Sequence, residues 1–499
     1  VIEMIGGEMP SFTEDRPRAG GALFGLLAER LPADARVLIA GPHDDALIDA
    51  VAARSDVTCL IRSQPEAVAL DGRGRRVLCG SLAKLTGDEQ YDAVVALDGL
   101  GRLCSVEGPQ LDWAECLQAL VRALRPGGTL LLTVENELGL HRLVDLTSAT
   151  SAHTDSDWSP LGEFGSKPGN PARLADRLTA EGLTAGWVGT AWPVPEAPAL
   201  IATAEALRDG PADVLAALAA SAAGRAYAGK EVLSDPRRLA AAAVRDGLGP
   251  EFAAAWVVTA HRDPGPGVAA TLPPVLVGDG PVTELTPGRD GLWNRRVLRE
   301  VPGRDGSGGD GPLPRGRLLE ELLLTACLRH DLPIVRRLLT GWATAQPGAT
   351  ADNVVVHQDT YALLDPGVPP QTDVIRRFAQ TLLTGGYAHP WPAAVTLETL
   401  TSILHAAADR AGDVPTDSRE ELPVSRRDQE EQLRALRRQL ADADARAQRF
   451  ERELEKRDKE LRKARTQIAT FSGSVSFRVA KLGMGVARKA RNRLRKGLQ

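Results

Sequence analysis

Residues 35–41 read ARVLIAG, residues 57–61 VTCLI, residues 91–97 YDAVVAL and residues 129–134 TLLLTV. Each is a short apolar run set off by polar or helix-spaced sequence, and the first ends in a glycine. Runs rich in Val, Ile and Leu that do not alternate with polar residues suit strands covered on both faces. The spacing therefore predicts a mainly parallel sheet with helices on either side, an α/β fold. Ahead of the fourth run, Trp113, Leu117, Leu120, Val121 and Leu124 recur at helical spacing. That helix is predicted to stop at Leu124-Arg125-Pro126-Gly127-Gly128, where proline and paired glycines turn the chain into the next strand. Ligands of such sheets lie beyond the carboxyl ends of the strands, at a first turn whose glycines admit close backbone approach. Gly41 is expected at the carboxyl end of its strand.

The order of these pieces resembles the Rossmann-like domain of class I S-adenosylmethionine-dependent methyltransferases, whose corresponding turn reads "LkPGG". The resemblance implies S-adenosylmethionine as cofactor and a first turn with an acid followed by G-x-G-x-G. Here that turn reads Gly41-Pro42-His43-Asp44-Asp45. Where the family places an acid on the ribose hydroxyls this chain has Ile61-Arg62, with Glu66 the nearest carboxylate, and Leu78-Cys79-Gly80-Ser81 lacks the acid usual near the adenine. Two readings stay open. The cofactor is held atypically by Gly41, His43, Asp44, Glu66 and the Gly80, Ser81 and Leu82 backbone, or the fold persists without the activity. Glu135 and His141, just past the fourth run, are the candidates for deprotonating or orienting an acceptor hydroxyl. His43-Asp44-Asp45 also resembles the Ala-His-Pro-Asp-Asp zinc loop of N-acetylglucosamine deacetylases, but the proline between His and Asp is missing and no downstream histidine cluster follows. The plainer alternative is a polar loop in which Asp44 caps a helix.

Further on, ENELGLH (135–141) resembles the "ENrlGLkY" segment of a cell-surface polysaccharide branch of the methyltransferases, WPVPEAP (192–198) its "YPlPdyk.P" strand and DPRRL (235–239) its "nPrr" helix start. In the region 272–408, Asn353 and Asp365 stand at the spacing at which kinase-like phosphotransferases place their two magnesium ligands. The position of the expected base is Gly348, and no phosphate-gripping glycine loop or strand lysine opens the region. A degenerate α+β kinase-like region is expected, without Mg-nucleotide. The full order resembles the bifunctional methyltransferase/kinase proteins that cap or limit bacterial O-antigen chains. That resemblance implies methyl transfer to a sugar or lipid-linked acceptor in surface-glycan synthesis, with glycan-synthesis enzymes as partners. The competing reading is a non-catalytic, membrane-associated coiled-coil scaffold that retains the methyltransferase and pseudokinase folds.

At 499 residues the chain exceeds one core. The expected division is an N-terminal extension (1–34), a methyltransferase-like domain (35–150), its family-specific extension (151–271), the kinase-like region (272–408), a linker (409–424), a coiled coil (425–471) and a basic amphipathic tail (472–499). The coiled coil is read from Leu433, Leu436, Leu440, Ala443, Ala447, Phe450, Leu454, Leu461, Ala464, Ile468 and Phe471, which alternate at steps of three and four with only Arg457 breaking the seam. Self-association is its expected consequence. From Phe471 onward there is no acid, and eight Arg and Lys residues are concentrated there against an overall charge of -5. Such a basic end, with Val479, Leu482, Val486 and Leu494 interspersed, suits an anionic membrane surface. Nucleic acid is not expected, since no aromatic stacking platform accompanies the charge. Five cysteines without C-x-x-C spacing, and no signal-peptide pattern or membrane-length apolar run, lead to the expectation of a cytoplasmic protein held at the inner face of the membrane.

Overall fold

The structure is a computed structural model. It describes residues 1–14, 16–87, 89–145, 163–263, 272–278, 281–289, 292–300, 309–391, 396–410, 426–473 and 479–491, the last without 481, 486 and 490. The insert at 302–308, most of the linker and much of the basic tail, including Arg493, Arg495 and Lys496, lie outside the described residues.

The four apolar runs are strands of one sheet. In chain order it contains β1 (Ile2–Gly6), β2 (Arg36–Ala40), β3 (Asp56–Ile61), β4 (Arg76–Gly80), β5 (Tyr91–Ala96), β6 (Leu124–Glu135), β7 (Leu183–Trp192), β8 (Leu200–Thr203), β9 (Ala255–Arg262), β10 (Val275–Val277), β11 (Val282–Pro287), β12 (Trp293–Arg299) and β13 (Gly311–Pro312). Their order is β1-β4-β3-β2-β5-β6-β9-β7-β8-β10-β11-β12-β13. Pairing is parallel from β1 to β6 and antiparallel from β9 onward. The order β4-β3-β2-β5-β6 is the doubly wound arrangement of a Rossmann-like fold. Alternation along β2 explains the two layers. Val37 and Ile39 pack with helices α1 (Ala22–Ala28), α2 (Asp45–Ala52) and α3 (Gln64–Gly72), while Leu38 and Ala40 pack on the other face with α4 (Trp113–Ala123).

The turn expected at residues 124–128 is part of a strand. Leu124 pairs with Tyr91 and Thr129 with Ala93, so residues 125–128 form a bulge opposite Asp92, in which Gly127 takes a φ of 77°. The helix before it ends as expected, at Ala123.

The stretch 272–408 is not set apart from the first sheet, because β10 to β13 extend it. Its remainder forms a small antiparallel sheet of β14 (Arg317–Leu318), β15 (Val354–His357) and β16 (Thr360–Leu363). Val355 faces the core below the large sheet, and Val354 and Val356 face a further core of four helices, Leu319–Leu328, Leu332–Ala345, Val374–Thr384 and Leu397–Ala407. Residues 1–423 are one compact unit, and residues 424–499 are a second that contains the helix Arg426–Gly473. Leu436, Leu440, Phe450, Leu454, Leu461 and Ile468 lie on that helix, between 55% and 67% exposed.

A buried ionic joint holds the helix Leu319–Leu328 to Pro236–Arg245. Asp235 caps the latter and takes the Arg237 guanidinium at 3.0 Å, leaving Glu320 at 3.3 Å from the same group. Burial pushes the Glu320 carboxyl up to about 7 because Arg237 is shared, with Asp352 and Asp235 adding to the rise. The folded protein thus holds this proton more tightly than the unfolded chain. Glu320 should cost about 3 kcal/mol of stability as pH rises from about 4.5 through 7. Urea denaturation across that range should show the slope in the native protein, and Glu320→Gln should flatten it; an identical slope in the variant would assign it to another group.

Candidate functional site at the carboxyl edge of the sheet

β2 and β5 are neighbours, yet the helices that follow them cover opposite faces of the sheet. Their carboxyl ends therefore diverge and open the crevice in which a doubly wound sheet takes its ligand. In this chain the crevice is filled from within. Gly41 lies just past the carboxyl end of β2 with a φ of 91°, a conformation costly for any residue with a Cβ. The chain then folds His43 back into the opening. The Leu97 amide donates to its Nε2 at 3.1 Å, so Nδ1 carries the proton and donates to the Gly41 carbonyl at 2.9 Å. Burial holds this imidazole down to about 4, so it stays neutral and ties the ends of β2 and β5 together. With both ring nitrogens engaged it cannot ligate zinc. Asp44 caps α2 through the Leu47 amide at 2.7 Å and accepts from the Gly21 amide at 3.2 Å, and Asp45 pairs with Arg73.

Arg62, directly after β3, stands where the family places its ribose-binding acid. Its Nε and Nη2 donate to the two oxygens of Glu14 at 2.7 and 3.2 Å, its Nη1 donates to the Cys104 carbonyl at 2.9 Å, and it lies over the Phe12 ring. Both charged side chains are at most 2% exposed. Glu14 also lies 3.7 Å from Arg102, whose guanidinium forks onto Asp98 and donates to the Arg16 and Pro17 carbonyls at 3.3 and 2.8 Å. Burial raises the Asp98 carboxyl to about 6 against the pull of Arg102. The segment that supplies Glu14 leads from β1 to α1 across the carboxyl ends of the strands. It is held there by Met9 N–H to the Arg62 carbonyl, Ser63 Oγ to the Phe12 carbonyl and Asp44 N–H to the Ala19 carbonyl, at 2.8, 2.6 and 2.8 Å.

The other expected cofactor contacts share this edge and are likewise turned inward. Gly80 is pressed against the Gly6 carbonyl, the Ser81 amide donates to that same carbonyl at 3.0 Å, and the Leu82 amide donates to Leu103 at 2.8 Å. Glu66, at the start of α3, accepts from Arg18 at 2.7 Å. An adenosyl group presents ribose hydroxyls to an acceptor and needs free backbone donors for its base. Here the position of the acceptor is a paired guanidinium and the amides are spent, so the residues present do not fit S-adenosylmethionine.

Glu135 and His141 do meet. His141, in helix α5 (Leu140–Val144), places Nε2 2.9 Å from Glu135, and Arg142 lies 2.7 Å from the same carboxylate oxygen. Burial alone would raise the Glu135 carboxyl, but His141, Arg142 and Lys167 outweigh it and hold it well below the usual carboxylate range. A carboxylate so stabilised is a poor proton acceptor.

Asn353 and Asp365 are also adjacent, but they engage each other. The Asn353 amide donates to the Asp365 carbonyl and accepts from the Asp365 N–H at 2.9 and 2.8 Å, while the Asp365 carboxylate accepts from Gly367. Asn353 thus clamps the turn at Asp365, with its amide oxygen taking the Asp365 N–H. Among the described residues no group of three or more His, Cys, Asp or Glu side chains could hold a metal ion.

No protein-family profile and no curated protein matches the sequence. Solved structures similar in fold include 1,6-didemethyltoxoflavin-N1-methyltransferase from Burkholderia thailandensis with bound 1,6-didemethyltoxoflavin and S-adenosylhomocysteine, at 14% identity, 48% of this chain, 76% of that one and a TM-score of 0.27. The N-methyltransferase NodS from Bradyrhizobium japonicum, in complex with S-adenosylhomocysteine, shows 16% identity over 34% of this chain and 80% of its own, with a TM-score of 0.24. The [4+2]-cyclase SpnF shows 19% identity over 48% and 79%, with a TM-score of 0.27.

Glu14→Ala would take from the buried Arg62 guanidinium the carboxylate that accepts from its Nε and Nη2, while Arg102 keeps Asp98, which should cost about 3–5 kcal/mol in denaturant unfolding. Glu14→Ala combined with Arg62→Met should recover much of that loss. A single variant within about 0.5 kcal/mol of the native protein would show that the pair carries little of the crevice's stability.

Proposed function

We propose that this chain is a non-catalytic, self-associating scaffold that retains a methyltransferase-like fold and serves surface-glycan synthesis at the inner face of the membrane. The observation that carries this reading is the Glu14–Arg62 pair, sealed in the crevice that a methyl donor would need. Glu135, the best-placed base, is stabilised as a carboxylate and so is poorly suited to drawing a proton from an acceptor hydroxyl. Support for glycan synthesis comes from the likeness of residues 135–141, 192–198 and 235–239 to the polysaccharide branch. In the fold these segments do structural work: Asn136 donates to the Glu251 and Ala253 carbonyls at 2.6 and 2.9 Å, and Asp235 caps a helix. The exposed apolar residues of the helix Arg426–Gly473 supply the means of self-association. Among the described residues no helix is long and apolar enough to cross a membrane. Membrane attachment is assigned to the basic tail for its charge.

Calorimetric titration of the purified protein with S-adenosylmethionine and S-adenosylhomocysteine, to millimolar ligand, should give no binding heat; a micromolar Kd for either would restore the methyltransferase reading. Co-sedimentation should show the full chain on anionic vesicles and not on neutral ones, with release as salt shortens the screening length. A chain ending at residue 472 should stay in the supernatant, since each basic residue near such a surface contributes about 1 kcal/mol. Equal retention of the shortened chain would place the membrane contact elsewhere.

A further inference from the structure

The exposed seam of the helix Arg426–Gly473 carries information about direction as well as about pairing. In heptad terms Leu440, Leu454, Leu461 and Ile468 occupy one core position, and Leu436, Ala443, Phe450, Arg457 and Ala464 the other. If two copies ran parallel and in register, each residue would meet itself. Ala443 would face Ala443 and Ala464 would face Ala464, which leaves gaps, and Phe450 would face Phe450. Arg457 would face Arg457, two cations in the middle of an apolar seam.

Reversing one helix about a centre between Phe450 and Leu454 changes every layer. Leu440 then faces Ala464 of the second copy, Leu461 faces Ala443, Ile468 faces Leu436 and Leu454 faces Phe450. Arg457 faces position 447, an alanine in the sequence, so its long stem can lie across a small neighbour and carry the guanidinium out to water. Large residues meet small ones and the self-facing cations are gone, which is how helix interfaces reach interior packing density.

The flanking charges point the other way, but weakly. In the parallel pair Arg446 meets a glutamate at position 451 and Glu460 meets Arg465, with Glu453 against Asp458 as the like pair. In the antiparallel pair Glu460 meets Arg446, while Arg437 meets Arg465, an aspartate at position 444 meets Asp458, and the glutamates at positions 451 and 453 each meet their own copies. These are flanking positions at the rim of the helix pair, where solvent and salt leave each pair little weight beside the packing of the core layers.

We infer that two copies of this chain pair through residues 436–468 as an antiparallel coiled coil, with Arg457 rejecting the parallel alternative. This inference rests on the self-association proposed above. About 50 Å of helix is then shared, and the end of one copy's helix lies beside the start of the other's.

Full-length chains carrying Leu440→Cys or Ala464→Cys test it, since all five native cysteines are buried. Under mild oxidation a mixture of the two variants should form a Leu440→Cys to Ala464→Cys disulfide, and neither variant alone should cross-link. Light scattering on the native chain and on each reduced variant should give twice the monomer mass. Cross-linking of each variant to itself at that mass would overturn the direction and leave self-association standing. A monomer mass for the native chain would overturn self-association, and this inference with it.

Discussion

The carboxyl edge of the sheet depends on one buried ion pair, Glu14 with Arg62. A guanidinium in an apolar interior is tolerated only when a carboxylate and further acceptors take up its donors. Glu14 and the Cys104 carbonyl do so here, and Arg102 shares the same carboxylate. Because Glu14 comes from the segment between β1 and α1, satisfying the charge also fixes the path of that segment across the strand ends. Its backbone then meets the amides and carbonyls that a ligand would otherwise use. The crevice is closed by electrostatic necessity as much as by shape.

His43 reinforces the closure from the other side. In a nucleotide-binding turn, glycines keep the backbone bare so that a ligand can approach it. Here a single glycine is kept to make the bend, and the freed volume goes to an imidazole that bonds to both strands. The turn thus serves as a rivet between the ends of the two strands.

Much of the sheet was legible in the sequence. The runs at 35–41, 57–61, 91–97 and 129–134 are strands because uninterrupted apolar sequence leaves no alternative to burial on both faces. Leu124 to Gly128 was harder, since a strand bulge and a helix-ending turn draw on the same proline and glycines. β1 escaped notice because it is an edge strand, and its sequence, with Glu3 pointing to solvent, has no continuous apolar run. At the site, Arg62 was visible as a departure from the family pattern, and the Asp98–Arg102 pair has the i, i+4 spacing of a local contact. Glu14 was not visible: it lies 48 residues from Arg62, and nothing local marks an acid whose partner is brought to it by the fold. The helix of residues 426–473 was legible for the opposite reason, because a heptad is a wholly local pattern.

The continuation of the first sheet into β10–β13 bears on how the protein can be taken apart. A chain ended at residue 271, the boundary that motif reading suggests, would expose the free edge of β8, and Val275, Leu276 and Leu285 would be lost from the cores they fill. An unpaired apolar edge is a template for intermolecular strand addition. An isolated methyltransferase-like fragment is therefore an aggregating species, and its silence in an assay would say nothing about the intact molecule.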